Sequence, residues 1–506
     1  MTPDTLPDWL AHWAATAPDR MALVADDRAW TFGEYDAEVS ATARRLVVLG
    51  AGEGTRVATL LHNGAAAAVL AHAALRAGAT LVPLNTRLGE AELGWQLDDV
   101  GATLLVVHGR TASLAAGLRD GRRAPTLVSA DAAGAAALAV PAMHDVAAAD
   151  APLRLAHAMD AVHTIVYTSG TTGTPKGAML TVGSHWWSAV GSALNLGVRA
   201  DDRWLACLPI FHVGGQAVVL RSAIYGTAAV VHEAFDEHAV NRSVDDDGVT
   251  IVSVVAAMLQ RMLDARDDRP YPPSLRCVLL GGGPAPRPLL ERCARAGVPV
   301  VQTYGLTETA SQVATLAPAD TLRRLGAAGK ALYPNAIRVA RDDGADARPG
   351  EPGEILVRGP VVTAGYAGRP DDTRRALAGG WLHTGDVGTL DADGYLHVLD
   401  RRDDLIVTGG ENVYPAEVEA VLLAHPAVAE AGVVGVPDAR WGARVVAVVR
   451  PRDGAPADEA ALRAHCRARL GAFKVPAEVR VVREPLPRTA SGKLRRLELR
   501  AWWPTR

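Results

Sequence analysis

The chain has 506 residues, and 52 lysines and arginines against 56 aspartates and glutamates give it a formal net charge of −4. Its length exceeds what one small domain needs, and 49% hydrophobic with 21% charged residues exclude a disordered chain and predict a soluble globular protein. The near-neutral balance, without a basic block, provides no electrostatic basis for nucleic acid or an anionic membrane as the main partner.

Cysteine spacing and the first residues indicate the compartment. The four cysteines are scattered, without a C-x-x-C pair, which argues against a disulfide framework and a structural zinc site. The opening MTPDTLPDW carries acids and prolines where a signal peptide needs a basic stretch and an apolar run, so we expect a cytoplasmic protein. Two charge-free stretches, Val57–Leu75 and Trp204–Leu220, contain turn and polar residues; we expect strand-turn-helix pieces and no membrane span.

The first part of the chain alternates apolar β-rich runs with alanine-rich ones. Runs at Arg56–Leu61, Thr80–Pro83 and Thr103–Val107 predict strands, and Ala65–Ala77 predicts a helix between the first two. This alternation is typical of βαβ units around largely parallel sheets. The alanine-rich segment Ser129–Ala161 is interpreted as helix and connection.

Two further apolar runs, Thr250–Val255 and Arg276–Leu280, predict strands in the same kind of sheet. The second opens directly onto Gly281-Gly282-Gly283-Pro284. Open α/β sheets bind ligands outside the carboxyl ends of their strands, so this glycine turn is a candidate ligand contact.

The pattern changes at Gly353, where short runs with close turns predict a small antiparallel or barrel-like subdomain. The charge run Asp400–Asp404 follows, and by itself it is typical of a solvated turn. The last hundred or so residues contain a separate series of apolar runs with strand and helix periodicity. We therefore predict an α/β protein with a large N-terminal domain (1–400) of parallel-rich sheets, a hinge (401–404) and a small mobile α+β domain (405–506).

The stretch Thr164–Gly177, TIVYTSGTTGTPKG, predicts a strand followed by a loop of glycine, serine and threonine that ends at Lys176. Glycines let backbone N–H groups converge on an anion, hydroxyls add donors, and the lysine adds a positive charge. The alternative is a flexible polar turn, but the preceding strand and the density of donors favour a phosphate loop. It differs from G-x-x-x-x-G-K-[ST], because Gly177 follows the lysine.

This stretch resembles the phosphate loop of the adenylate-forming superfamily, which includes acyl-CoA synthetases, peptide-synthetase adenylation domains and luciferases. Five further motifs resemble that superfamily in its order along the chain: Tyr304–Glu308, Thr384-Gly385-Asp386, Asp400-Arg401, Gly409–Asn412 and Ala490–Lys493. The resemblance covers the chain end to end. It implies ATP, Mg²⁺ and coenzyme A as partners of a carboxylic acid substrate.

The resemblance also implies a role for each matching residue. Lys493, Lys176, Thr307 and Glu308 are implied to be catalytic, Glu308 as the magnesium ligand, and Asp403 marks the hinge. The acid side is implied to involve His212, Arg221, Gly281 and Gly305, and the pantetheine channel Gly409, Gly410 and Glu411. The implied nucleotide contacts are Thr168, Ser169, Gly170, Thr171, Thr172, Gly173, Lys176, Gly282, Gly283, Pro284, Thr303, Tyr304, Gly305, Thr307, Asp386, Arg401 and Lys493.

Three of these residues have an ordinary interpretation when taken alone. Lys493 would be a solvated surface lysine, Asp386 a turn aspartate and Glu308 a neighbour of a helix N-cap. Their functional interpretation rests mainly on the resemblance. The charges are nevertheless what the chemistry needs, because ATP activation of a carboxylate brings an anion next to a polyanion.

The segment Trp204–Gly226 is the candidate acid-binding region. Gly214 and Gly215 allow close backbone approach where a helix begins. Arg221 interrupts the otherwise apolar helix that follows. It is either a surface arginine or a buried guanidinium that requires an anionic partner, such as a second carboxylate on the substrate.

Runs such as Leu208–His212 and Leu279–Pro286 resemble the family of o-succinylbenzoate:CoA ligases of menaquinone biosynthesis. That resemblance implies that Arg221 faces the benzoate carboxylate while the succinyl carboxylate is activated. One residue departs from the family: Gly214 stands where serine is usual. The expected function is an AMP-forming acid:CoA ligase. The alternatives are an acyl-CoA synthetase for another acid, medium-chain or dicarboxylic, and a catalytically idle adenylate-binding module.

Overall fold

The structure is a computed structural model. It describes residues 4–118, 125–148, 150–168, 175–267, 269–283, 285, 287–321, 323–341, 343–400, 406–413, 415–452, 455–487, 494 and 496–503. The chain divides into two compact units. The first comprises Met1–Thr86, Leu97–Val166 and Gly177–Leu399, and the second comprises Arg87–Gln96, Tyr167–Lys176 and Asp400–Arg506. Two short segments from the first half of the chain therefore group with the carboxyl-terminal residues.

Most strands and helices precede residue 400. The strands are β1 (Thr5–Pro7), β2 (Met21–Ala25), β3 (Arg28–Thr31), β4 (Arg56–Leu60), β5 (Thr80–Pro83), β6 (Leu104–Val107), β7 (Thr126–Ser129), β8 (Ala156–Ala158), β9 (Val162–Thr168), β10 (Lys176–Thr181), β11 (Arg203–Ala206), β12 (Ala228–Val231), β13 (Ile251–Val254), β14 (Cys277–Leu280), β15 (Val300–Tyr304), β16 (Ala314–Thr315), β17 (Lys330–Ala331), β18 (Ala336–Ala340), β19 (Gly353–Arg358), β20 (Leu382–Leu390) and β21 (Leu396–Asp400). The helices are α1 (Trp9–Thr16), α2 (Phe32–Val48), α3 (Ala65–Arg76), α4 (Glu90–Val100), α5 (Ala112–Ala116), α6 (Ala132–Leu138), α7 (Val182–Leu196), α8 (Val213–Tyr225), α9 (Glu237–Asp245), α10 (Ala256–Asp264), α11 (Arg287–Arg295) and α12 (Pro370–Ala376).

Two large sheets organise the first unit. One has the order β10-β9-β5-β4-β6-β7, and the other has the order β17-β16-β15-β14-β13-β11-β12-β2-β3. Neighbours within the run β15-β14-β13-β11-β12-β2 are parallel, as are the pairs β4–β5 and β4–β6. One apolar core contains side chains from both sheets, for example Leu104 of β6 and Ile251 of β13. The predicted parallel-rich α/β class is confirmed.

The small sheet predicted after Gly353 is present with the order β18-β19-β20-β21, and its β18–β19 and β19–β20 pairs are antiparallel. It begins earlier than predicted, because β18 precedes Gly353. The segment Ser129–Ala161 contains helix α6, as expected, and also strand β8, which the alanine-rich composition concealed. Strand β8 pairs antiparallel with β1, and His157 within it lies 3.1 Å from a carboxylate oxygen of Asp8. A long-range partner therefore makes this stretch extended, where local propensity favours helix.

Capping residues mark one end of each of the helices α7 and α8. Thr181 caps α7: its hydroxyl accepts the N–H of Ser184 at 3.0 Å. Helix α8 ends at Gly226, whose φ of 69° lies in the left-handed region that glycine adopts readily. Both helices therefore begin or end at residues suited to those positions.

The second unit is α+β. Its strands are β22 (Ile406–Thr408), β23 (Glu411–Val413), β24 (Val428–Asp438), β25 (Gly442–Pro451) and β26 (Glu478–Val481), and its helices are α13 (Pro415–Leu423), α14 (Glu459–Arg467) and α15 (Arg496–Arg500). Strands β24 and β25 pair antiparallel, and β26 joins β25 in parallel. Among the residues that the structure describes, no helix is long and apolar enough to cross a membrane.

Candidate active site

The two glycine-containing motifs of the first unit follow neighbouring strands. Strand β14 leads into Gly281, Gly282 and Gly283, and β15 ends at Thr303 and Tyr304. The two strands are parallel, so their carboxyl ends lie at the same edge of the sheet. A Cβ placed on Gly281 would lie 2.9 Å from Cγ2 of Thr303, and Gly282 has a φ of 78°. The structure therefore brings both predicted motifs together, with backbone exposed at the edge where α/β sheets bind ligands.

The residues after β15 form a tight turn into a short 3₁₀ helix, Thr307–Thr309. Gly305 has no room for a side chain, since a Cβ there would lie 1.5 Å from the carbonyl oxygen of Ser311. The half-buried Glu308 follows, and its carboxylate accepts a 2.9 Å hydrogen bond from the hydroxyl of Tyr366. This turn fixes the position of Thr307 and Glu308 relative to the strand.

Asp386 lies in β20 and is only 6% exposed. Its carboxylate accepts a 2.7 Å hydrogen bond from the hydroxyl of Tyr304, and its backbone N–H donates to the hydroxyl of Thr384 at 3.0 Å. The structure thus joins residues of two predicted nucleotide motifs that are 82 positions apart in the sequence. A carboxylate held in this way can accept hydrogen bonds from a pair of sugar hydroxyls.

His212 and Arg221 belong to the start and the interior of α8. His212 is the N-terminal flanking residue of the helix, is half-buried, and its ring centroid lies 4.7 Å from that of Phe211. Arg221 is 3% exposed. The alternative of a surface arginine is therefore wrong, and the helix carries its guanidinium into the core.

Neutral groups surround the buried guanidinium of Arg221. It donates to the Oγ of Ser188 at 2.8 Å and to the side-chain oxygen of Gln312, and it lies 5.7 Å from the ring centroid of Trp204. Within the described parts of the chain, no carboxylate lies at ion-pair distance from it. Burial lowers the pKa of Arg221, which is the physical sign of a cation without a compensating anion.

Gln312 connects this guanidinium to the nucleotide motif. Its amide nitrogen donates to the hydroxyl of Thr303 at 3.3 Å and to that of Thr315 at 3.2 Å, while its oxygen accepts from Arg221. Neither Gln312 nor Ser188 belongs to the residues expected from sequence. A buried polar residue gives no local signal of its contacts, so only the fold could identify this pair.

Five predicted residues that the structure describes belong to the second unit. Thr168 donates from its hydroxyl to the carbonyl oxygen of Lys176 at 3.4 Å. Gly409 and Gly410, with φ of 57° and 82°, form the turn between β22 and β23. Glu411 follows the turn, is 3% exposed and forms an ion pair with Arg87 of the same unit. The remaining predicted residues lie outside the described part of the chain: Ser169, Gly170, Thr171, Thr172, Gly173, Pro284, Arg401, Asp403 and Lys493.

The donor set around Glu308 fits magnesium. The described residues contain no group of three or more His, Cys, Asp or Glu side chains that could hold a metal ion by themselves. Mg²⁺ is commonly held through one or two carboxylates together with substrate phosphates and water, and a single half-buried carboxylate such as Glu308 meets that requirement.

Comparison with known proteins gives matches along the whole chain. The family model of AMP-binding enzymes matches residues 10–367, and that of the AMP-binding enzyme C-terminal domain matches residues 417–493. A 2-succinylbenzoate–CoA ligase from Geobacillus kaustophilus is 50% identical over 500 residues, which cover 99% of this chain and 98% of the relative.

Solved structures of o-succinylbenzoate CoA synthetase from Bacillus subtilis have the same fold. A double mutant bound with its product analogue matches with a TM-score of 0.89 at 41% identity, covering 98% of each chain. The complex of that enzyme with ATP and magnesium ion matches with a TM-score of 0.73 at 41% identity, covering 98% of this chain and 99% of the other.

Proposed function

The chain belongs to the AMP-binding enzyme family, and we propose that it is an ATP-dependent ligase that joins 2-succinylbenzoate to coenzyme A. In the first half-reaction a carboxylate oxygen of the succinyl arm bonds to the α-phosphorus of ATP, and the bond to the departing pyrophosphate breaks. In the second, the coenzyme A thiol loses its proton, its sulfur bonds to the acyl carbon, and AMP leaves with the electron pair of the broken carbon–oxygen bond.

The observation that carries the assignment is the buried Arg221 among neutral partners. A buried guanidinium without a counter-ion is costly, and an anionic ligand group removes that cost. The substrate named for the relatives has a second carboxylate, on its benzene ring. We assign Arg221 to that carboxylate, with Gln312 holding the guanidinium in relation to Thr303.

The other residues take roles that their surroundings support. Asp386, fixed by Tyr304, accepts hydrogen bonds from the ribose hydroxyls of ATP. At Gly281 and Gly305 a side chain would clash with Thr303 and Ser311, so glycine lets these turns pack closely at the sheet edge proposed to bind the nucleotide and the acid. Magnesium, when bound through Glu308, screens the negative charge of the phosphates that the substrate carboxylate must approach.

Both half-reactions need residues from the carboxyl-terminal part of the chain. We propose Lys493 as the cation for adenylate formation and the turn of Gly409, Gly410 and Glu411 as part of the pantetheine channel. One small domain, 405–506, serves both steps by rotating about a hinge at Asp403, and the domain before it ends near residue 400. The phosphate loop around Lys176 completes the charge screening.

The test is a panel of acids with two readouts. ATP–pyrophosphate exchange measures adenylate formation, and thioester absorbance measures transfer to coenzyme A. We expect the specificity constant for exchange to be higher with 2-succinylbenzoate than with benzoate, medium-chain acids or other dicarboxylic acids. If a medium-chain acid or another dicarboxylic acid had the highest specificity constant, the alternative acyl-CoA synthetase would be supported. No exchange with any acid would indicate an idle adenylate-binding module.

We further propose that the enzyme acts in the cytoplasm. Its co-substrates ATP and coenzyme A are available there, and all four cysteines are buried, as suits a reducing compartment. Separation of cell fractions followed by the exchange assay tests this location.

A further inference from the structure

The side chain of Asn63 makes three hydrogen bonds that cross between the two large sheets of the first unit. Asn63 follows β4 and is 7% exposed. Its oxygen accepts the N–H of Ile210 at 2.8 Å, and its nitrogen donates to the carbonyl oxygens of Leu208 at 2.9 Å and His232 at 3.1 Å. One N–H partner and two carbonyl partners determine the orientation of the amide and use three of its bonding positions.

Two of these partners, Leu208 and Ile210, flank Pro209 in the turn that leads to His212. The N–H of His212 donates to the carbonyl oxygen of Pro209 at 3.1 Å, and His212 is the residue that immediately precedes helix α8. The amide of Asn63 thus pairs with this turn as a neighbouring backbone would. Ile210 is 4% exposed, so its N–H has little access to water as a replacement partner.

Gly215 of α8 lies against the same turn. A Cβ at that position would lie 2.3 Å from the carbonyl oxygen of Pro209 and 2.5 Å from that of Leu208. The turn is therefore hydrogen-bonded to the Asn63 amide and packed closely against the backbone of the helix. Displacement of the turn would break these hydrogen bonds or disturb this packing.

We infer that Asn63 is a positioning residue for the acid-binding side of the site, because it fixes the turn that places His212. The inference rests on the proposed function and on the acid-binding role that the family resemblance implies for His212. Asn63 acts through the turn and has no assigned contact with ATP, so its loss should affect the acid and spare the nucleotide. Sequence alone does not reveal this role, since Asn63 and Ile210 are 147 positions apart in the chain.

The experiment measures KM for the acid, KM for ATP and kcat in ATP–pyrophosphate exchange for Asn63→Ala and Asn63→Asp. We expect KM for the acid to rise about tenfold in both variants, with KM for ATP within about twofold of the parent value. Aspartate keeps the shape and the acceptor but cannot donate to two carbonyl groups, so it should not rescue. Asn63→Ser, which can donate one bond and accept another, should recover part of the loss.

Asn241→Ala is the matched control. Asn241 is also 7% exposed and buried, and it donates to the carbonyl oxygen of Met262 and accepts from the hydroxyl of Tyr271, both at 2.9 Å. It should lower the midpoint of thermal unfolding without changing KM for the acid. Gly215→Ala, whose Cβ would displace the carbonyl groups of Pro209 and Leu208, should also raise KM for the acid, and Asn63→Ser provides the test if Asn63→Ala fails to fold.

An unchanged KM for the acid in the Asn63 variants, or the same kinetic profile as Asn241→Ala, would show that Asn63 only stabilises the fold. The comparison uses the acid that the parent protein adenylates fastest. A different preferred acid would therefore overturn the assignment of 2-succinylbenzoate while leaving the test of Asn63 intact.

Discussion

Replacement of Arg221 by methionine should separate catalysis from stability. Methionine is a long, unbranched side chain like that of arginine, but it carries no charge. Because the guanidinium is buried among neutral groups, removal of its desolvation cost should offset the loss of its hydrogen bonds to Ser188 and Gln312. We therefore expect Arg221→Met to fold with a thermal midpoint close to that of the parent protein.

The expected loss of activity follows from the hydrogen bond between Arg221 and the ring carboxylate that the substitution would remove. A hydrogen bond to a charged group contributes about 1.5–3 kcal/mol, which corresponds to roughly ten- to hundredfold in kcat/KM for 2-succinylbenzoate. Arg221→Lys should rescue only partly, because lysine keeps the charge without the planar fork of donors. KM for ATP should stay unchanged, since the contacts of Asp386 and Tyr304 are not altered.

A second acid completes the design. The analogue 4-oxo-4-phenylbutanoate has the reacting arm and lacks the ring carboxylate. It should be a poor substrate for the parent protein, and its kcat/KM should hardly change in Arg221→Met. Removing the ring carboxylate and the arginine together should therefore lower kcat/KM much less than the two separate losses would predict. Equal losses for the two acids, measured by pyrophosphate exchange, would refute the pairing of Arg221 with the ring carboxylate.

Three further predictions test other parts of the molecule. Lys493→Ala should abolish pyrophosphate exchange yet leave thioester formation from supplied acyl-adenylate largely intact; equal loss of both steps would contradict the role of Lys493 in adenylation alone. Gly305→Ala should lower the thermal midpoint and weaken ATP binding in calorimetry, because its Cβ would lie 1.5 Å from the carbonyl oxygen of Ser311; a variant with parent-like binding would rule out the tight turn. Burial lowers the pKa of His72 to about 3 and that of His163 to about 4, from 6.5, so the folded state keeps both neutral and loses stability as the pH falls below 6.5. In urea unfolding between pH 7 and pH 5, His72→Leu should reduce the slope of stability against pH by up to about 1.4 kcal/mol per unit, and an identical slope would contradict a neutral buried His72.

Much of the secondary structure and the reaction class can be predicted from the amino-acid sequence. Apolar periodicity and turn residues located strand β5 at the bounds it has in the structure and helix α3 to within one residue, because these elements bury residues in a regular local pattern. The loop before Lys176 predicted phosphate binding, since glycines, hydroxyls and a positive charge are what a phosphate site requires. The resemblance of this loop and of the motifs at Tyr304 and Asp386 to the adenylate-forming superfamily implied the reaction class.

Which of these residues meet, and what surrounds them, depends on how the elements pack in three dimensions. The fate of Arg221 could not be predicted, because an arginine on an apolar helix can face either water or the core; its burial against Ser188 and Gln312 depends on how α7, α8 and the residues after β15 pack. The same holds for Asn63 and for strand β8, whose partners lie far along the chain. Local sequence specifies local conformation, whereas hydrogen bonds and charges in the interior acquire their meaning only from neighbours that folding brings together.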